Sequence, residues 1–142
     1  EGRTASLWGT GFNSANAVSA FPIVEFNNVS GGFRTWDTNL GGFNNVSGFT
    51  GYVQWYQVGF AYTGSTLTYF VNGQAVGSQV DANGTTSIGN VILQGYNAGT
   101  SYDINFDNLT TTPVPEPATL AVFGVLGCVT LGYPARRKVN AG

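Results

Sequence analysis

The sequence predicts an all-β body, an antiparallel β-sandwich or jelly roll over residues 1–112, followed by a Pro-rich spacer at 113–119 and a C-terminal apolar helix with a basic end at 120–142. Three observations predict this. Short runs rich in Val, Ile, Thr, Tyr and Phe alternate polar and apolar residues with a period of two. Turns rich in Asn, Gly and Ser separate them. No stretch before Ala118 combines helical period with caps.

In chain order, Leu7-Trp8, Phe21 to Phe26 and Gly32 to Trp36 are short strands between polar turns. Phe26-Asn27-Asn28-Val29-Ser30-Gly31 recurs as Phe43-Asn44-Asn45-Val46-Ser47-Gly48. A solenoid needs more stacked copies to bury a core, so the expectation is compositional bias or local duplication. Tyr52 to Tyr62 reads as a two-sided strand with aromatic residues on both faces, turned by Thr63-Gly64-Ser65. Leu67, Tyr69 and Val71 then alternate with Thr66, Thr68, Phe70 and Asn72. The pair Asn72-Gly73 predicts a tight hairpin, with Gln74 to Gln79 as the returning strand. After a loop at Asp81 to Gly84, Ser87 to Gln94 sets Val91 and Leu93 on one face and Ile92 on the other. Tyr102 to Leu109 is the last predicted strand, with Tyr102, Ile104 and Phe106 facing in.

The body carries Arg3 and Arg34 against Glu1, Glu25, Asp37, Asp81, Asp103 and Asp107, a net of −4, and has no lysine. With no basic stripe it is a poor nucleic-acid binder. The chain's 14% aromatic content is too high for a disordered one. The single cysteine, Cys128, lies in the apolar run, so packing alone must hold the body. Val125-Leu126-Gly127-Cys128 superficially resembles a lipoprotein box but stands at the wrong end of the chain, and Cys128 reads as an apolar filler. The first residue is Glu1, so the expectation is a processed start or a missing N-terminus.

The tail has its own logic. Pro115 and Pro117 impose a stiff, extended arm. Ala118 to Tyr133 is free of charge and as a helix would span roughly 24 Å, short of the ~30 Å hydrocarbon core, a gap that snorkelling arginines and an interfacial Tyr133 make up. Arg136, Arg137 and Lys138 form a positive stop expected to stay cytoplasmic. The competing reading is a buried helix of a soluble domain, but such a helix gains nothing from a tribasic end. Val114-Pro115-Glu116-Pro117-Ala118-Thr119-Leu120, the Gly-containing apolar run and the basic cluster together resemble the PEP-CTERM sorting signal of exported bacterial proteins. The resemblance implies that Pro115, Glu116 and Pro117 are read by a membrane-embedded exosortase. It also implies that residues 118–133 anchor the chain in the inner membrane before processing, and that the body reaches the cell surface or exopolysaccharide matrix. Pro134 and the trailing Val139-Asn140-Ala141-Gly142 depart from the pattern without breaking its three-part order.

Trp55-Tyr56-Gln57-Val58, the stretch Gly64 to Ser78 and Phe106-Asp107-Asn108-Leu109 resemble the concanavalin-A-like or laminin-G-like jelly roll that often precedes such tails. That fold usually has more strands than this body provides, so an unpaired edge or open groove is expected, fillable by another copy.

No histidine occurs, and no lysine or cysteine precedes the tail, which removes the usual bases, nucleophiles and soft metal ligands. Asp103 and Asp107 share a strand face but stand ~13 Å apart, beyond a glycosidase pair. The expectation is no enzyme and no cofactor. A structural calcium at Asp107-Asn108 with Asp103 or Asp81 is weighed against plain solvent-facing residues, and the latter is preferred. Asn28, Asn45, Asn83 and Asn108 begin Asn-x-Ser/Thr triplets, expected by chance in so Asn- and Thr-rich a chain. Two functions remain. A glycan-binding module would stack sugars on Trp36, Trp55 or Tyr96, with Tyr56 and Tyr62 as further platforms, although burial is the more ordinary use of such residues. A self-assembling fibre subunit would join copies edge to edge, retaining its apolar tail. The partners expected are thus the exosortase, and either an extracellular polysaccharide or other copies of the chain.

Overall fold

The computed structural model describes residues 3–50, 54–96, 99 and 103–112. The chain divides into two units, Glu1–Thr112 and Pro113–Gly142. The expected sorting motif Pro115, Glu116 and Pro117, the apolar run and the basic cluster Arg136, Arg137 and Lys138 lie outside the described residues, as does Tyr102. Among the described residues no helix is long and apolar enough to cross a membrane.

Nine strands are described: β1 (Thr4–Asn13), β2 (Val18–Ala20), β3 (Ile23–Asn27), β4 (Gly32–Asp37), β5 (Gly42–Thr50), β6 (Val58–Thr63), β7 (Thr66–Val71), β8 (Gln74–Val80) and β9 (Thr85–Tyr96). All pairing is antiparallel, and the described residues contain no helix. A six-stranded sheet has the order β2-β1-β3-β4-β5, with β9 on β1; β6-β7-β8 form a second sheet. β2 and β3 lie end to end along one edge of β1, since Ala20 pairs Gly11 and Ile23 pairs Trp8. Phe21-Pro22 interrupts them because proline has no N–H for the ladder. Its carbonyl still accepts the Gly9 N–H at 2.8 Å.

The sheets pack face to face, consistent with a β-sandwich. Val24 and Phe33 from the large sheet and Leu67, Tyr69 and Val71 from β7 form the buried core, with Phe26, Val46, Phe49, Tyr56, Val58, Phe60, Tyr62 and Val76 packed around it. Phe33 meets Phe26, Phe49 and Tyr56 edge to face at 5.4, 6.5 and 4.8 Å between ring centroids, the arrangement that aromatic quadrupoles favour. The alternation in β7 therefore does what the sequence predicts: Leu67, Tyr69 and Val71 are buried and their neighbours half-buried. The hairpin behind it turns at Asn72 (φ 50°) and Gly73 (φ 75°), the two left-handed residues that a two-residue loop of matching twist requires. At Gly9 the sheets approach so closely that a Cβ there would sit 2.6 Å from Phe60 Cζ and 2.8 Å from Pro22 Cγ. Only glycine fits.

Local structure adds to the sequence reading and departs from it. Among the described residues the strand expected over Tyr52 to Tyr62 begins only at Val58. Residues 42–50 form β5, unforeseen because Asn, Gly and Ser separate its strand formers Phe43, Val46 and Phe49 and break the period of two. The two hexapeptide copies take different structures: Asn28 to Gly31 make the β3–β4 turn, where Asn27 Oδ1 accepts the Val29 and Ser30 N–H groups, whereas Phe43 to Gly48 lie within β5. Strand pairing to β4 overrides local preference in the second copy. Residues 103–109 form no strand despite their alternation, and Phe106 and Leu109 are 43% and 55% exposed.

Candidate functional site: the outer face of the large sheet

Strand register sorts the large sheet into two faces. Ala5, Leu7, Gly9, Val24, Phe26, Phe33, Thr35 and Leu93 share the face turned to the second sheet, as the core contacts require. The opposite face carries Ile92, Gln94 and Tyr96 from β9, Thr4, Ser6 and Trp8 from β1, Ile23, Glu25 and Asn27 from β3, Arg34 and Trp36 from β4, and Phe43 and Asn45 from β5. Ladder pairing lines these up in rows. One row is apolar and aromatic: Ile92, Trp8, Ile23, Trp36 and Phe43. The adjacent row is polar: Gln94, Ser6, Glu25, Arg34 and Asn45.

The polar row is centred on an ion pair. Arg34 Nε and Nη2 both lie 2.5 Å from Glu25 Oε1, and the Ser6 hydroxyl donates to Glu25 Oε2 at 2.8 Å. Glu25 is buried, so these bonds replace the water that its carboxylate loses. The Arg34 guanidinium also stands 4.0 Å from the centroid of the Phe43 ring, a cation–π contact tying the two rows together. Trp36 meets Phe43 edge to face at 5.0 Å.

From behind, Trp36 is held by its backbone. Its carbonyl accepts the Tyr69 hydroxyl at 2.6 Å and Gln79 Nε2 at 3.2 Å; Gln79 Nε2 also donates to the Tyr69 oxygen at 2.8 Å, and Gln79 Oε1 accepts the Thr38 N–H at 3.1 Å. Burial pushes the Tyr69 phenol well above its ordinary value, outweighing the opposing bond from Gln79. A cavity of about 90 Å³ adjoins this network, lined in part by Thr35, Asn44, Tyr69 and Gln79. At ~30 Å³ per water it has room for about three waters. Trp8 adds one further feature: its Nε1 is buried and has no hydrogen-bond partner. Such an orphan donor costs about 1–3 kcal/mol.

Of the three platforms expected from the sequence, Trp36 and Tyr96 share this face, but three strands and two rows separate them, roughly 20 Å at standard spacings. Trp55 stands apart, 69% exposed in the segment preceding β6. Neighbouring Tyr56 packs on Phe33 and accepts a bond from Gln54. The structure adds Trp8 and Phe43 to the row. Trp8 was legible through the alternation of Thr4, Ser6, Trp8 and Thr10; Phe43 was not, because β5 itself was not.

Among the described residues no three of the His, Cys, Asp and Glu side chains cluster. Asp81 organises the β8–β9 loop, accepting the N–H groups of Thr85 at 2.6 Å and Asn83 at 3.1 Å, with the Tyr62 hydroxyl 3.2 Å away. Burial would raise the Asp81 carboxyl, but bonds from Thr85, Asn83 and Tyr62 outweigh it and lower its pKa. Tyr62 is raised, first by burial and then by the Asp81 charge. Its hydroxyl donates to the Thr85 carbonyl at 2.6 Å. The triplet asparagines Asn45, Asn83 and Asn108 are exposed, and Asn28 is half-buried in its turn.

Searches of family models, curated proteins and solved structures returned no match to this chain.

Proposed function

We propose that the chain is a non-catalytic, exported surface or exopolysaccharide-matrix protein, and that its body adheres to polysaccharide through the outer face of the large sheet. The observation that carries this reading is a half-buried aromatic row (Trp8, Trp36, Phe43) beside a polar row in which Gln94, Arg34 and Asn45 reach solvent while the buried Ser6 and Glu25 hold Arg34 in place. A sugar ring offers the same duality, since its C–H face stacks on an indole while its hydroxyls bond to charged and amide groups. Trp8 and Trp36 lie two strands apart, about 10 Å, on one surface. In this reading the body is a concanavalin-A-like or laminin-G-like jelly roll. The tail, with Pro115, Glu116, Pro117 and the basic end, is a PEP-CTERM-type signal read by an exosortase.

Retention of the full chain on insoluble acidic and neutral polysaccharides tests the adhesive part. Trp36→Ala should weaken retention about tenfold or more, as base–aromatic and sugar–aromatic stacking contacts of ~1–3 kcal/mol suggest. Trp55→Ala should leave it unchanged, and equal loss in both variants overturns the assignment of the face. Replacing Pro115, Glu116 and Pro117 by alanine should strand the protein in the inner membrane; normal surface delivery of that variant removes the sorting proposal.

A further inference from the structure

The two sheets differ in width. At the level of β3 the large sheet runs β9-β1-β3-β4-β5, whereas the smaller one holds β6-β7-β8. β6 sits where the Phe60 ring closes on Gly9 and Pro22, over the seam between β1 and β3. Among the described residues no strand pairs with its far side. The inner face of β9 is therefore short of cover. Leu93 is 41% exposed, although its cross-strand partner Leu7 is 9% exposed. Val58, Phe60 and Tyr62 pack on the core yet remain only half-buried.

The β6 edge is built to accept a strand. Thr63 pairs Thr66 across the two-residue turn, and the Asn72 N–H donates to the Gln57 carbonyl at 2.7 Å. In an antiparallel ladder bonded pairs alternate, so 57, 59, 61 and 63 bond to β7 while Val58, Phe60 and Tyr62 turn N–H and C=O outward. The edge has none of the usual guards: Val58–Thr63 contains no charge and no proline, and its pairing with β7 has no bulge. A cleft of about 260 Å³ runs beside it, lined by Gln57, Val58, Gly59, Phe60, Ala61 and Phe70 among others.

The same chain carries a segment with the complementary pattern. Asp103-Ile104-Asn105-Phe106-Asp107 alternates polar and apolar residues with period two, is described without any strand pairing, and leaves Phe106 exposed. Asn108, at φ 54°, turns the chain out of extended geometry after it. We infer that β6 accepts residues 103–107 of a second copy as a fourth strand of the smaller sheet. Ile104 and Phe106 then cover Leu7 and Leu93, and Asp103, Asn105 and Asp107 face outward. The donor is another copy because, among the described residues, the segment 103–107 and the far edge of β6 both stand without a strand partner within one chain. Donor and acceptor are different surfaces of the same molecule, so the contact is heterologous. It closes as a reciprocal pair or propagates head to tail. With six carboxylates against two arginines in each body, salt should strengthen it.

Complementation tests this with the full chain in one fixed detergent buffer. Phe106→Asp removes the donor at an exposed position outside any strand. Gly59→Lys guards the edge at a site where a new Cβ meets nothing within 4 Å. Sedimentation velocity should show association of the unmodified chain that rises with concentration and salt. Each variant alone should lose that association at least about tenfold, and at concentrations where the unmodified chain is also monomeric its thermal midpoint should be unchanged. An equimolar mixture should regain a dimer, because one variant keeps the edge and the other the segment. Three results overturn the inference. The first is association undiminished by Phe106→Asp, which assigns it to the apolar tail. The second is a midpoint lowered by Phe106→Asp in a monomer, which means that the segment packs on its own body. The third is a mixture that stays monomeric.

Discussion

Tyr69→Phe removes one oxygen from the junction of the two sheets. That oxygen donates to the Trp36 carbonyl at 2.6 Å and accepts Gln79 Nε2 at 2.8 Å in a side chain only 2% exposed. Gln79 Nε2 keeps a second acceptor in the Trp36 carbonyl, so the substitution unsatisfies one donor rather than two groups. The expected cost at pH 7 is about 1–2 kcal/mol, a fall in Tm of ~4–8 °C for a body of this size. Alkali reverses the order. Because burial raises the Tyr69 pKa in the folded state, its contribution is complete below the ordinary ~10 and is lost as pH rises through the folded value. Over that interval the unfolded chain releases a proton that the folded chain keeps, and the unmodified protein loses up to about 1.4 kcal/mol per pH unit that Tyr69→Phe does not. Urea unfolding followed by tryptophan fluorescence, at steps from pH 7 to 11.5, should show two stability curves converging and then crossing. Equal urea midpoints at pH 7, or parallel curves above pH 10, would refute both the network and its burial.

Gly9→Ala should cost about 1–3 kcal/mol, read as a lower urea midpoint, because its Cβ must displace Phe60 or Pro22. Leu67→Ala, at a side chain 1% exposed, should cost about 2–5 kcal/mol. Asp81→Asn should destabilise at neutral pH, and the gap should close as pH falls through the lowered pKa of Asp81. That sign follows because a depressed carboxylate stabilises only above that range. Glu25→Ala, which leaves Arg34 without its carboxylate on the outer face, should destabilise more than Glu25→Gln and should also weaken polysaccharide retention.

How much of this was legible depends on where the chain carries its own instructions. The β7–β8 hairpin was, since Asn72-Gly73 encodes the turn and Leu67, Tyr69 and Val71 encode the buried side. The faces of β9 were as well, with Val91 and Leu93 opposite Ile92. β5 was not, because Gly42–Thr50 is a strand only by pairing with β4. Nor was the fate of residues 103–109, whose period of two is necessary for a strand but does not supply a neighbour. The same limit applied to the site. Trp36 and Tyr96 stood out as aromatic residues, but no local signal placed Trp8 beside Trp36 through Ile23, or set Glu25 between Ser6 and Arg34.

By itself, the amino-acid sequence determined an all-β, antiparallel body, the position of the two-residue turn at Asn72-Gly73 and the buried side of its central hairpin. These follow from period, turn chemistry and side-chain volume, which act within a few residues. Only the tertiary structure decided which strands adjoin, and therefore which rows cross the outer face, why Gly9 must be glycine and which edge has no neighbour among the described residues. Those depend on contacts between residues far apart in sequence, such as Tyr69 with Trp36 and Gly9 with Phe60, and local pattern carries no record of them.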